Sequence, residues 1–369
     1  MTVHELELTN FRSYPKVKQE LSPGVNLILG ENAQGKTNFL ESLFFLSCVK
    51  GFHAKQEKEL ILFGEQNARI DARVETRERE LSLRVELSLS AKRKIYENGI
   101  LQKRLLDYVG TLQTVLFSPD DLSMVKEGPA LRRRFLNIAI SQLRPNYIQT
   151  LAEYNRILEH KNKILKNAEL SGGRELLGVF NEKLAETGAV LIRYRQEFVN
   201  ILAKYAKIIH SEMSGTRETL QISYHTDRFV EDPGSAAEVI KGQLLDHLEA
   251  RRAAELDAQS CLIGPHKDDL EFEIDGRPAK FFASQGQIRT AVLALKMAER
   301  DVFAEVTGEI PVLLLDDVLS ELDEGRQAYL LHRISKGQVF ISSCQTPTCC
   351  EMERGAVFQV EKGKILRTE

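Results

Sequence analysis

Tryptophan is absent from this 369-residue chain, and aromatic residues of all kinds reach only 7%. Proteins that hold single-stranded nucleic acid by stacking bases on aromatic rings need more of them. No run of about 18 apolar residues occurs, so no membrane-spanning helix and no membrane partner are expected. The N-terminus lacks the basic-then-apolar layout of a secretion leader. Cysteines are few: Cys48, Cys261, Cys344, Cys349 and Cys350. Their spacing forms no paired metal-ligand set, so reduced thiols in a cytoplasm, and no zinc, are the expectation. A net charge of −3 excludes a general polyanion sponge. Any DNA contact must come from local basic runs: Lys92-Arg93-Lys94, Arg132-Arg133-Arg134, Lys161 with Lys163 and Lys166, or Arg251-Arg252. Each run also reads simply as a solvated helix face. No internal repeat appears.

What is present is more specific. Gly30-Glu31-Asn32-Ala33-Gln34-Gly35-Lys36-Thr37 fits the phosphate-binding loop G-x-x-x-x-G-K-[ST] at every fixed position. The apolar run Val25 to Leu29 reads as the strand before it, and Asn38 to Cys48 as a buried helix after it. In that context the loop amides and the helix start face nucleotide phosphates. Lys36 is placed on the β- and γ-phosphates, and Thr37 on Mg2+. Far downstream, Val312 to Leu315 reads as a strand buried on both faces. It ends in Asp316-Asp317, either a surface turn or the carboxylates of a metal-dependent NTPase. Asp316 is assigned to the metal, and Asp317 to the attacking water. Ala283-Ser284-Gln285-Gly286-Gln287 opens a helical stretch from Ile288 to Phe303. It is either a plain Ser N-cap or a second anion-binding helix start that meets a nucleotide held by another subunit.

Together these segments resemble ABC-type ATPase heads, and more narrowly the SMC/RecF group. The narrower resemblance, to the RecF family, rests on Asn10-Phe11-Arg12-Ser13-Tyr14, Phe117-Ser118-Pro119-Asp120-Asp121-Leu122, Gly264-Pro265-His266-Lys267-Asp268-Asp269 and Ala283 through Thr290. It covers nearly the whole chain in order. It implies an α/β fold: a split P-loop ATPase head, with a mixed sheet and flanking helices, plus an inserted helical arm. It also implies ATP and Mg2+ as cofactors, Arg12 near the nucleotide, and Ser284, Gly286 and Gln287 closing on ATP bound to a second copy. Asp323 would be a dimer-contacting aspartate. Further implied are DNA binding at gaps or duplex/single-strand junctions, a weak DNA-stimulated ATPase that is not a nuclease, and work with RecR, RecO and RecA in gap repair, replication restart and the SOS response. Three departures stand out. Ala283 and Gln285 replace the general signature residues, no glutamine occupies Phe117 to Asp120, and no histidine follows Val339-Phe340-Ile341. Asp317 stands where many such ATPases have Glu, so slow hydrolysis is expected. Alternatives are a nucleotide-gated scaffold with incidental turnover, or the ATPase of a nuclease complex. The latter would require long coiled-coil arms and a zinc hook.

The expected organisation is residues 1–128 as the N-terminal part of the head, 129–255 as the arm and 256–369 as the returning head. Strands are expected at Val3–Thr9, Asn67–Thr76, Leu81–Leu89 and Gln221–Tyr224. An Asn98-Gly99 hairpin turn is expected as well. Helices are expected from Ala130 to Ser214 with a break at Gly172-Gly173, and from Ser235 to Ala258. Gly264 to Asp269 invites a metal or acid–base reading, but it has no second His or Cys in register. A structural turn or an interface contact is the preferred reading.

Overall fold

The computed structural model describes residues 1–54, 56–167, 173–226, 228–345 and 355–368. Gly172, Cys349 and Cys350 lie outside the described residues. The chain begins with β1 (Thr2–Phe11), β2 (Tyr14–Glu20), β3 (Val25–Leu29) and α1 (Lys36–Cys48), then β4 (Asn67–Glu75), β5 (Glu80–Ser88), β6 (Lys94–Glu97), β7 (Ile100–Leu101) and β8 (Thr114–Phe117). Helices follow: α2 (Ser123–Lys126), α3 (Pro129–Leu143), α4 (Pro145–Lys166) and α5 (Gly173–Ser214). Next come β9 (Leu220–His225), α6 (Ala237–Ala250), α7 (Arg252–Asp257), β10 (Asp269–Ile274), β11 (Arg277–Pro278), α8 (Ala279–Phe282) and α9 (Gln285–Thr307). The chain closes with β12 (Val312–Asp316), α10 (Glu324–Arg333), β13 (Val339–Ser343), β14 (Gly355–Glu361) and β15 (Lys364–Arg367).

The described strands form three sheets. One is antiparallel, in the order β2-β1-β4-β5-β6-β7; a second runs β11-β10-β9; the third runs β15-β14-β3-β13-β12-β8. In the third, β14, β3, β13, β12 and β8 are mutually parallel, and β15 returns antiparallel. Parallel strands are covered on both faces, and the two-residue alternation assigns each side chain to one cover. In β12, Val312 and Leu314 join the core shared with α1 and the antiparallel sheet. Leu313 and Leu315 join the core shared with α5 and α9. Leu27 and Ile28 of β3 divide the same way. Burying each such Leu or Ile contributes about 1.5–3 kcal/mol. Helix α1 is therefore clamped between two sheets, which explains why Phe39, Leu40, Leu43, Phe45 and Leu46 are all buried and no face is left polar.

The hairpin turn falls at Asn98 and Gly99, both with positive φ (50° and 76°), as a tight two-residue turn requires. The stretch expected as one helix from Ser235 to Ala258 is two, α6 and α7, broken at Arg251. Helix α5, with 42 residues, runs about 63 Å at 1.5 Å per residue, and packs against α4, α6 and α9.

The Gly264–Asp269 segment is a buried polar hub. Arg195 of α5, fully enclosed, donates to Pro265 O (2.6 Å), Asp268 Oδ2 (3.3 Å), Tyr147 Oη (3.0 Å) and Asn137 Oδ1 (3.0 Å). Tyr224 also donates to Asp268. Arg132 holds Asp269 with two bonds, at 2.6 and 2.8 Å. His266 Nε2 lies 3.1 Å from Cys261 O, which can only accept, so Nε2 carries the proton and Nδ1 accepts from Tyr154 Oη at 2.6 Å. Burial pushes the His266 pKa down to about 4, so the ring is neutral near pH 7. These contacts make the segment a hydrogen-bonded buried turn.

Candidate nucleotide-binding site

The Gly30–Thr37 loop joins β3 to α1, as the spacing requires. Two glycines are fixed by geometry. A Cβ on Gly30 would stand 2.5 Å from Val360 O of β14, and Gly35 has φ +119° with Tyr14 Oη pressed against it. Tyr14 Oη donates to Gly35 O at 2.8 Å, and Asn38 Nδ2 donates to Ser13 Oγ at 2.9 Å. On the other side, Gln34 Oε1 accepts from the amide of Lys362 at 2.7 Å. The loop is thus held between the β1–β2 turn and the β14–β15 turn. Glu31, Asn32 and Ala33 lie on its exposed side.

Lys36 is 3% exposed. Its ammonium donates to Gly30 O (2.9 Å) and Glu31 O (3.1 Å) and lies 3.4 Å from Cys344 Sγ. Thr37 Oγ1 donates to Asp316, 2.9 and 3.1 Å from its two carboxylate oxygens. Ser342 Oγ, at the end of β13, donates to Asp316 Oδ1 (2.7 Å) and accepts from the Asp317 amide (2.9 Å). Two segments 279 residues apart therefore converge on one carboxylate. Asp317 sits in the left-handed region (φ 50°), and burial raises its pKa against the opposing charge of Lys36.

Arg12 does not point freely toward the loop. Its guanidinium pairs with the fully buried Glu41 of α1 at 2.8 Å and donates to Glu59 O at 3.0 Å. The other Glu41 oxygen accepts the amides of His53 and Ala54, at 3.1 Å each. Through that pairing His53 is held with Nε2 3.8 Å from Asp316 Oδ2 and Nδ1 3.6 Å from Asp120 Oδ2. The Asp316 carboxylate raises the His53 pKa, against partial burial. Glu41, His53, Ser342 and Cys344 were not singled out as site residues from sequence. Only a carboxylate at Glu41, inside an otherwise apolar helix, carries a local signal.

The Ser284 segment stands apart from these contacts. Ser284 caps α9: its Oγ accepts from Gln287 N (3.2 Å), while Gln287 Oε1 accepts from Ser284 N (2.8 Å), the reciprocal capping box. Gln287 Nε2 also donates to Glu218 at 2.9 Å, and Arg326 Nη2 donates to Gly286 O at 3.3 Å. Asp323 caps α10 through Arg326 N at 2.9 Å. Ser284, Gln285 and Asp323 are exposed. Among the described contacts, none joins Ser284 to the phosphate loop of the same chain.

The RecF/RecN/SMC N-terminal domain model matches residues 2–366. The chain is 40% identical over 373 aligned positions to the DNA replication and repair protein RecF of Listeria innocua serovar 6a, covering 100% of both. The chain belongs to the RecF family. It is also 39% identical to the RecF protein of Alkaliphilus oremlandii, over 99% of this chain and 100% of that one. A solved structure of "the recombination mediator protein RecF-ATP in RecFOR pathway" superposes with a TM-score of 0.93 at 34% identity, covering 100% of this chain and 98% of the other. An Smc head domain from Pyrococcus furiosus, with a TM-score of 0.57 at 17% identity, covers 99% of this chain and 96% of that one and shares the fold. The α/β, ABC-type architecture expected from the RecF-family resemblance is thus the one found. No helix among the described residues is long and apolar enough to cross a membrane.

Several members of the basic runs are engaged in contacts within the chain. Arg132 is buried on Asp269; Arg133 donates to Asp268 O at 2.9 Å; Arg134 donates to Gly51 O and Phe52 O, both at 3.0 Å. Lys161, fully buried, pairs with Glu255 at 2.6 Å, and Lys163 pairs with Glu159 at 2.6 Å. Arg93 pairs with Glu57.

Proposed function

We propose that this RecF-family chain is an ATP-gated DNA-binding recombination mediator. The observation that carries the reading is the Thr37–Asp316 hydrogen bond, which joins the phosphate loop to the end of β12. Lys36 is enclosed, and among the described contacts its ammonium reaches neutral acceptors; the β- and γ-phosphates of ATP are stronger ones. The loop amides and the start of α1 add their dipoles. Thr37 and Asp316 offer hydroxyl and carboxylate oxygens, a donor set that suits Mg2+. Bound there, the ion would neutralise phosphate charge and template the reacting oxygens. Asp317, with its raised pKa and its place beside Asp316, would orient the attacking water and accept its proton. An aspartate reaches one methylene less far than a glutamate, which supports slow turnover. Arg12 would act from behind, by fixing Glu41 and the His53 loop.

Ser284, Gly286 and Gln287 open α9 on an exposed face away from their own loop, so the nucleotide they serve would be that of a second copy. Asp323, exposed nearby, would join the same face. Two heads closed on ATP would hold DNA between them, and hydrolysis would release it. The relatives' names support replication and repair as the setting. The wider reading is a cytoplasmic mediator that, with RecR and RecO, helps RecA onto single-strand gaps during repair, replication restart and the SOS response. The residue division 1–128, 129–255 and 256–369 stays part of this proposal, with the arm reaching toward the DNA.

Sedimentation velocity with and without ATP and Mg2+, on the wild type and Ser284→Arg, tests the gate. The expected result is a dimer that needs ATP and fails in the variant. A wild type that sediments identically with and without ATP overturns the two-copy reading.

A further inference from the structure

Three cations from three separate segments meet at one surface pocket beside α6. Arg228 follows β9, Arg251 follows α6, and Lys267 precedes β10; His247 and Phe229 complete the rim, with Ile263 at the base. His247 packs edge-on against Phe229, ring centroids 5.7 Å apart. Among the described residues, no carboxylate lines this pocket, and Arg228, Arg251 and Lys267 enter none of the ion pairs found. All three are exposed. The negative end of α6 accounts for a cation at Arg251. It does not account for Arg228 or Lys267, which come from elsewhere in the chain.

The two carboxylates that follow Lys267 are engaged elsewhere. Asp268 is 1% exposed and faces Arg195 and Tyr224, while Asp269 is bound by Arg132. Of the motif's charged residues, Lys267 is the exposed one, while Asp268 is buried and Asp269 is partly covered and held by Arg132. Gathering like charges without counterions costs self-repulsion unless an anion neutralises them. The other lysine-rich groove, around Lys16, Lys92 and Lys94, differs: Glu7 and Glu86 line it as well.

We infer that the Arg228–Arg251–Lys267 pocket grips the sugar-phosphate backbone of duplex DNA, a contact that depends on charge and not on base sequence. The inference rests on the DNA-binding reading above and gives it a location. The scarcity of aromatic residues agrees with backbone contact in place of base stacking.

The test is duplex binding measured by fluorescence anisotropy across a salt series with ATP and Mg2+ present. The proteins are the wild type, Arg228→Glu/Arg251→Glu, Lys267→Glu alone, and Lys92→Glu/Lys94→Glu. Melting curves check that each is folded; Lys267→Glu, a single exposed change, covers failure of the double variant. Losing two phosphate contacts lowers the salt slope by about two and the affinity by about tenfold or more. Lys267→Glu lowers the slope by about one, and the Lys92/Lys94 variant loses less than the double variant. If the wild type binds DNA and the pocket variants match it in affinity and slope, the pocket assignment is overturned while DNA binding stands. A wild type that binds no duplex at any salt concentration overturns both.

Discussion

Acid should loosen this protein through His266, and the amount follows from its surroundings. The folded pKa is about 4, against an ordinary value of 6.5. Between those values the unfolded chain binds the proton more readily than the folded one, so stability falls as pH drops. Above about pH 7 both states are neutral and the contribution is complete. At pH 5 nearly all unfolded His266 is charged and nearly all folded His266 is not, a difference of about 2 kcal/mol. The cause is burial of the ring, which disfavours its charged form and outweighs the bond to Cys261 O that favours it. His266→Gln keeps a donor and an acceptor but does not titrate. Urea unfolding of both proteins at pH 7.5 and pH 5 isolates the group, because every other titration cancels in the double difference. The wild type should lose about 2 kcal/mol more than the variant over that interval. Equal losses, within about 0.5 kcal/mol, would refute the buried neutral imidazole.

Three more outcomes follow from the same geometry. Asp317→Asn keeps the left-handed backbone that Asn tolerates; it should abolish phosphate release while leaving ATP-driven dimerisation in sedimentation intact. Gly30→Ala drives a carbon against Val360 O, a backbone atom that cannot swing aside; the expected cost is about 1–3 kcal/mol in chemical denaturation, with weakened ATP binding by isothermal titration. Arg195→Met strips Asp268 of its charged partner in a fully enclosed site and should cost about 3–5 kcal/mol of unfolding free energy.

The parts of the fold readable from sequence are those whose signal is local. The apolar run at Val312–Leu315 announces two-faced burial because both covers demand it, Val25–Leu29 announces a strand, and Asn98-Gly99 announces its turn by backbone conformation. The phosphate loop is legible for the same reason: two glycines answer to two close contacts, at Val360 and Tyr14. What sequence hid depends on distant partners. Arg132-Arg133-Arg134 looks like a solvated stripe until Asp269, 137 residues away, is brought beside it. His53 carries no motif of its own and reaches Asp316 only because Arg12 and Glu41 fix the loop beneath it. The break between α6 and α7 at Arg251 involves no glycine or proline, so helical period alone runs straight through it.

The position of β3 sets an order on the birth of this protein. The strand that feeds the phosphate loop lies between β13 and β14, paired with Val339–Ser343 on one side and Gly355–Gln359 on the other. During synthesis, β3 and the largely buried α1 must wait for more than 300 residues with neither neighbour made. Such long-range pairing is slow and leaves sticky surface uncovered meanwhile. The brace that the Lys362 amide gives Gln34 of the loop likewise forms only once these last strands exist.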